Sequence, residues 1–307
     1  MKKLILLNIF LLISTINAAV ENVSPNNSFL FGNENTNTFF IQTEEKGLSL
    51  DEFDTPFEDK TKISSHSGER KRSIGALISI KKLPYGELNS DFEILPIIEL
   101  EYPSFYIKPN TVETISGYEF GYKLYQNQSL KFNAFLEYHM NGYEASNFRG
   151  SKSNFSNLDD KESEFFIGIS ASIVPETSPE FKISADISKS FETSEGLRGR
   201  IYGQRYIPYA NDLFIVPGVS YTFIDSNYVR YYYGISQSEA ERVGIEGYSP
   251  TSAHKFGISL DLLYNVSPNV SFRSMNTVEF LSNNIVSSPI VSDSILITVG
   301  VGMVFSF

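Results

Sequence analysis

Residues 295–307 read ILITVGVGMVFSF. Ile295, Ile297, Val299, Val301, Met303, Phe305 and Phe307 put an apolar side chain on every odd position, while Thr298, Gly300, Gly302 and Ser306 keep most even positions small or polar. That is the period of a strand, because successive side chains of an extended chain point to opposite faces. A strand of this length ending on Phe with no polar tail has the form of the closing strand of a bacterial outer-membrane barrel. The last core strand of a soluble sandwich is the competing reading, and the other end of the chain bears on the choice.

Residues 1–19 begin with Lys2 and Lys3, run through the apolar segment LILLNIFLLI and close on Ile16-Asn17-Ala18-Ala19. A basic head, a short apolar core and small residues at its end predict a secretory signal peptide, cleaved after Ala18 or Ala19. The apolar core is too short for a helical span, which needs about 20 residues, and no later segment is long and apolar enough. Cysteine is absent, which excludes a lipoprotein anchor, a disulfide framework and thiolate metal sites together. Without Lys2 and Lys3 the chain has 23 basic against 36 acidic residues, a net charge of −13. A basic face for nucleic acid is not expected. The 18 Tyr and 25 Phe, with no Trp, suit strands and the aromatic girdles of a membrane barrel.

Residues 20–70 differ in kind. They are Asn-rich at first (SPNNSFLFGNENTNTFF) and then acidic (EEKGLSLDEFDTPFEDK), without a period of 2 or 3.6. Low hydrophobicity with high charge predicts a disordered periplasmic arm. The alternative is a plug anchored inside the barrel by Phe29, Phe31, Phe39 and Phe40.

From residue 71 onward alternation is regular and predicts an all-β domain over 71–307, a transmembrane antiparallel up-and-down barrel. Twelve strands are predicted, at 72–83, 92–100, 104–108, 114–125, 130–140, 163–174, 180–192, 197–208, 212–224, 254–266, 270–281 and 295–307. The clearest sets Phe256, Ile258, Leu260, Leu262, Tyr264 and Val266 against Lys255, Gly257, Ser259, Asp261, Leu263 and Asn265. The pattern is weakest over 270–281, where Ser274 and Asn276 fall on the face that should be apolar. With the first strand running outward, the five connections on the periplasmic side are short and carry Pro, Asn and Ser, whereas three of the six on the outer side are long. Tight turns at one rim, long loops at the other and an even strand number match outer-membrane barrels.

Alternation does not by itself say which face is wet, since a soluble ligand-binding barrel alternates too, with its apolar face inward. Here the polar face carries Lys81, Glu93, Glu99, Glu119, Lys123, Lys131, Glu137, Lys182, Asp186, Arg198, Arg200, Asp261, Arg273 and Glu279. So many charges are too costly for a dry core. They predict a polar lumen in which opposite charges on neighbouring strands pair and narrow the bore, with the apolar face against lipid.

Three motifs add a resemblance. Pro84-Tyr85-Gly86 with Leu95-Pro96-Ile97-Ile98, the run Tyr231-Tyr232-Tyr233-Gly234-Ile235-Ser236 leading to Tyr248-Ser249-Pro250, and Ser288-Pro289-Ile290-Val291 before the closing strand resemble the MltA-interacting protein (MipA/OmpV) family. The resemblance covers residues 72–307. It implies an outer-membrane barrel that in some members scaffolds murein turnover by contacting a lytic transglycosylase and a murein synthase. Other members look like adhesins or envelope proteins linked to small-molecule uptake.

No catalytic, cofactor or metal constellation is expected. Of the three histidines His66, His139 and His254, the parity of the strands points His139 to the lumen and His254 to lipid, so they should not converge. Asp159-Asp160, in an outer loop beside Lys161 and Glu162, reads as a solvated charge cluster rather than the acidic pair of a barrel protease. Gly300-Val301-Gly302 has no following helix or lysine and is no nucleotide loop; its glycines leave room in the lumen or let the strand curl. Ser236-Gln237-Ser238-Glu239 has the form of a capping box, and with Gly244 as a stop it predicts one short helix in loop 225–253. The function expected is a non-enzymatic scaffold for murein enzymes or an envelope-structure protein. A small pore or substrate-specific channel and an adhesin are the alternatives.

Overall fold

Every predicted strand is formed, with ends displaced by a few residues. Described are residues 72–85, 93–110, 117–140, 142–148, 150–210 and 212–307 of a computed structural model. The signal of 1–19, the arm of 20–70 with Phe29, Phe31, Phe39 and Phe40, and His66 lie outside the described residues. The strands are β1 (Arg72–Lys82), β2 (Glu93–Glu101), β3 (Phe105–Pro109), β4 (Gly117–Gln126), β5 (Leu130–His139), β6 (Glu164–Ile173), β7 (Phe181–Ser190), β8 (Leu197–Arg205), β9 (Ile207–Ala210), β10 (Leu213–Ile224), β11 (Ala253–Ser267), β12 (Val270–Leu281) and β13 (Ile295–Ser306). Each pairs antiparallel with its neighbours, β10 pairs with β11, and β13 pairs with β1 from Ser73↔Ser306 to Lys82↔Ile297, so the sheet closes on itself. The amide of Phe307 adds a further bond to the carbonyl of Arg72 at 2.9 Å. A closed barrel leaves no open edge for hydrocarbon.

β8 and β9 are two halves of one barrel strand, which makes twelve among the described residues. Both pair with β10, and the interruption falls at Tyr206. In this register Pro217 of β10 lies opposite Arg205. Proline has no N–H to give the ladder, so the pairing lapses there and resumes at Ile207.

The burial pattern fixes inside and outside. On β13 the odd positions are outward and the even ones inward, with Leu296, Thr298 and Val304 at most 2% exposed and Phe305 at 48%. Ile74, Ile78, Ile167, Ile183, Ile187, Val219 and Ile258 are likewise outward and exposed. Phe105, Phe132, Phe181, Tyr209 and Phe305 ring the short-turn end of this face, and Phe223, Phe256 and Phe280 mark the loop end. Gly302 is where close approach needs glycine: a Cβ there would stand 2.8 Å from Cδ1 of Leu77. The expected role of that glycine pair, to leave room in the lumen, is met by the side chain of Leu77.

The charges predict a polar lumen, but one wall of it is apolar. Leu77, Leu95, Ile97, Met275 and Val304 form an apolar cluster on its β1–β2–β12–β13 wall. The outer loops hold more helix than the one predicted. Besides α2 (Gln237–Val243), there are α1 (Ser226–Tyr233), α3 (Asn283–Val286) and 3-10 turns at Ala145–Asn147 and Gly150–Asn157. No described helix is long and apolar enough to cross a membrane.

Candidate functional site

Glu137 of β5 points into the lumen near the outer-loop end of its strand and is fully buried. A carboxylate in that position is stable only if paired and hydrogen-bonded. Nη2 of Arg198 on β8 and Nδ2 of Asn110 both donate to it, and Nη2 of Arg200 stands 3.5 Å away. Nε of Arg200 donates to both carboxylate oxygens of Asp186, at 3.0 and 2.9 Å, and its Nη1 reaches Oδ1 of Asn110 at 3.4 Å. Arg198 also meets Nε2 of His139 at 3.0 Å and stacks over the ring of Phe166 at 5.3 Å. Glu137, His139 and Arg198 are each 0% exposed.

Some pairs join neighbouring strands as expected: Arg200–Asp186 between β8 and β7, Lys108–Glu119 at 3.3 Å between β3 and β4, and Lys255–Glu279 at 3.5 Å between β11 and β12. Others are chords. Arg198 reaches past β7 and β6 to Glu137, and Arg273 of β12 reaches past β13 and β1 to clamp Glu99 of β2 through two bonds of 2.7 and 3.1 Å. A bidentate guanidinium–carboxylate pair fixes orientation as well as charge. These chords carry charged side chains across the lumen between strands that are not neighbours.

Above this network the outer loops fold inward. Tyr85, Tyr143, Phe148, Phe155, Tyr228, Tyr232, Tyr233, Ile285, Ile290 and Val291 belong to one buried cluster. The ring of Tyr85 lies 4.6 Å from Tyr143 and 5.7 Å from Tyr233. Residues of all three motifs meet in this lid, the first through Tyr85, while its second half, residues 95–98, lies on β2. Tyr85 bridges to Val291, Ile235 bridges to Tyr248, and the hydroxyl of Ser288 donates to the carbonyl of Tyr233 at 2.6 Å. Below the lid, Glu164 accepts from the amide and hydroxyl of Ser194 at 2.6 and 2.5 Å and from the Tyr232 hydroxyl at 3.2 Å.

The capping box is formed: the Ser236 hydroxyl accepts from the Glu239 amide, the Ser236 amide donates to the Glu239 carboxylate at 2.8 Å, and Gly244 ends α2 at φ 72°. Glu239 also accepts from Lys161 and from the amide of Asp159, both at 3.3 Å. Burial pushes its carboxyl up, but the Ser236 donors, Lys161 and the Asp159 amide outweigh burial and hold it at about 2. Burial, with the negative charge of Glu239 next, raises the Tyr143 phenol well above its usual range, and burial does the same for Tyr85.

Asp159 and Asp160 are tied into the lid. Asp159 pairs with Arg242 at 2.5 Å, and Oδ1 of Asp160 accepts from the Ala145 amide at 2.7 Å. His139 is in the lumen, and His254 is on the outer face, where its Nδ1 meets the Tyr221 hydroxyl at 2.7 Å. They do not converge. Among the described residues no three acidic, His or Cys side chains gather as metal ligands.

Residues 74–307 match the family described as MltA-interacting protein MipA. The chain belongs to that family. The MltA-interacting protein of Escherichia coli K12 is 23% identical over 241 residues, which are 78% of this chain and 91% of the relative. A protein of Escherichia coli O157:H7 named "Putative outer membrane protein YiaT" is 24% identical over 235 residues, 76% of this chain and 90% of that one. Among solved structures, the NanC porin aligns with 78% of this chain and 100% of its own, at 9% identity and a TM-score of 0.43. This MipA-family chain is a β-barrel of the outer membrane.

Proposed function

We propose that the barrel is a non-enzymatic, non-conducting scaffold whose partners are periplasmic murein-turnover enzymes, a lytic transglycosylase and a murein synthase. The observation that carries this reading is the set of buried ion pairs that crosses the lumen under the outer loops. Glu137, Arg198 and His139 are wholly buried beneath an aromatic lid, an arrangement that supports a closed barrel over a pore. Twelve strands are also fewer than the 16–18 of wide porins. Glu137, His139, Glu164 and Glu239 are engaged in structural bonds, which supports a role without catalysis. The partner class is supported by the Escherichia coli relative, whose name says that it interacts with MltA.

β1 begins at Arg72 on the short-turn rim, which supports reading the preceding arm of 20–70 as periplasmic and as the contact for these enzymes. A charged, weakly hydrophobic segment can order on a partner's surface. The test is a pull-down from solubilised envelopes with the full chain and with residues 20–69 deleted, signal retained. The deletion should leave the barrel folded and lose the murein enzymes. Steady channels in planar bilayers that close when Arg198 or Arg200 is changed, with no partner lost on deletion, would replace the scaffold by a small channel.

A further inference from the structure

The two polar residues that weakened the strand pattern of 270–281 are outward in the structure. Ser274 and Asn276 stand between the inward Arg273, Met275 and Thr277, on a face whose other members include Ile258, Leu260, Phe272 and Phe280. They sit midway along β12, at the level of the hydrocarbon. Beside them the β11–β12 ladder lapses between Ser259↔Thr277 and Leu262↔Ser274. Nδ2 of Asn276 fills the gap in part, donating to the carbonyl of Leu260 at 2.8 Å, and it reaches the Ser274 hydroxyl at 3.5 Å. The carboxamide oxygen of Asn276 accepts no bond, and the Ser274 hydroxyl donates none, among the described residues. An open acceptor and an open donor in hydrocarbon each cost free energy that neither acyl chains nor water can return there.

We infer that this β11–β12 face docks a second copy of the chain, with Ser274 and Asn276 at the centre of a two-fold contact. The argument is complementarity of partial charge. The patch carries one donor and one acceptor two residues apart, so two copies facing each other through an axis along the membrane normal can satisfy both, each Ser274 hydroxyl donating to the partner's Asn276. A two-fold interface is self-complementary in this way, residue i meeting j and j meeting i. The apolar neighbours surround the polar pair with surface that packs as well against protein as against lipid. Polar side chains join membrane segments by the same logic between helices.

The native chain has no cysteine, so single-cysteine variants report contact directly. Val278→Cys, outward on β12 next to the pair, should give a disulfide-linked dimer on mild oxidation in native outer membranes. Ile183→Cys, outward on β7, should not. In the Val278→Cys background, Asn276→Leu should lower the linked fraction about tenfold while heat-modifiable gel mobility stays that of a folded barrel, and Ser274→Ala should act in the same direction more weakly. Absence of the linked dimer from folded Val278→Cys, equal linking through Ile183→Cys, or a linked fraction unchanged by Asn276→Leu would each overturn the inference. If Asn276→Leu fails to fold, Ser274→Ala decides alone. None of these readouts depends on whether the protein binds murein enzymes.

Discussion

Glu137 accepts from Arg198 and Asn110 and has Arg200 within ion-pair distance, so removing one partner leaves a buried charge without compensation. Arg198→Met should cost about 3 to 5 kcal/mol in urea unfolding from lipid vesicles, whereas Arg198→Met with Glu137→Leu should cost less than either change alone. A loss in the double variant equal to the sum of the two single losses would mean that the pair is not coupled. The outer wall obeys the opposite chemistry. Ile187 is outward and 48% exposed; Ile187→Arg should cost about 2 to 4 kcal/mol at the bilayer midplane. Its neighbour Ser188 is inward and its buried hydroxyl has no hydrogen-bond partner. Ser188→Ala should therefore be close to neutral in the same assay.

At the scale of the element, the closing strand and the lid make separate predictions. β13 pairs with β1 from Ile297 to Ser306, so deleting residues 305–307 shortens the seam at the end where it must register, and the truncated chain should accumulate as protease-sensitive material outside the membrane. The lid depends on pH through Glu239. Its folded carboxyl is held at about 2 against an ordinary 4.5, so its stabilising bonds are fully present above the ordinary value and are lost as the pH falls through the folded one. Hydrogen exchange in α2 and residues 158–161 should accelerate as pH is lowered from 4.5 toward 2, relative to the strands, and Glu239→Gln should remove that pH dependence.

How much of these elements was legible depends on where the stabilising partners lie in the chain. α2 was readable because Ser236, Glu239 and Gly244 cap it from within a few residues. α1 was not: SNYVRYYY has few strong helix formers, and although Asp225 caps it through the Tyr228 amide at 3.0 Å, Tyr228, Tyr232 and Tyr233 are held by burial against loops distant in sequence. The strands were readable from alternation alone. The chords Arg198–Glu137 and Arg273–Glu99 were not, since their residues belong to strands that are not neighbours. The apolar lumen wall was visible in Leu95 and Ile97 but was masked by the expectation of a polar interior.

For the whole molecule, the ion pairs across the lumen and the lid together predict no steady conductance in planar bilayers. Opening the lid alone, by Tyr85→Ala with Tyr233→Ala, should not create it, because the charge network lies beneath. Channels appearing on loss of these two rings would place the seal in the lid instead. The chords have another consequence, in how the barrel yields to force. Pulled from its C-terminus by a cantilever tip, an uncrossed barrel surrenders its hairpins one after another. Here Arg198 anchors β8 to Glu137 of β5 across two intervening strands, so the hairpins β7–β8 and β5–β6 share a brace. They should leave the membrane in one extended rupture, and Arg198→Met should split that event into two shorter steps.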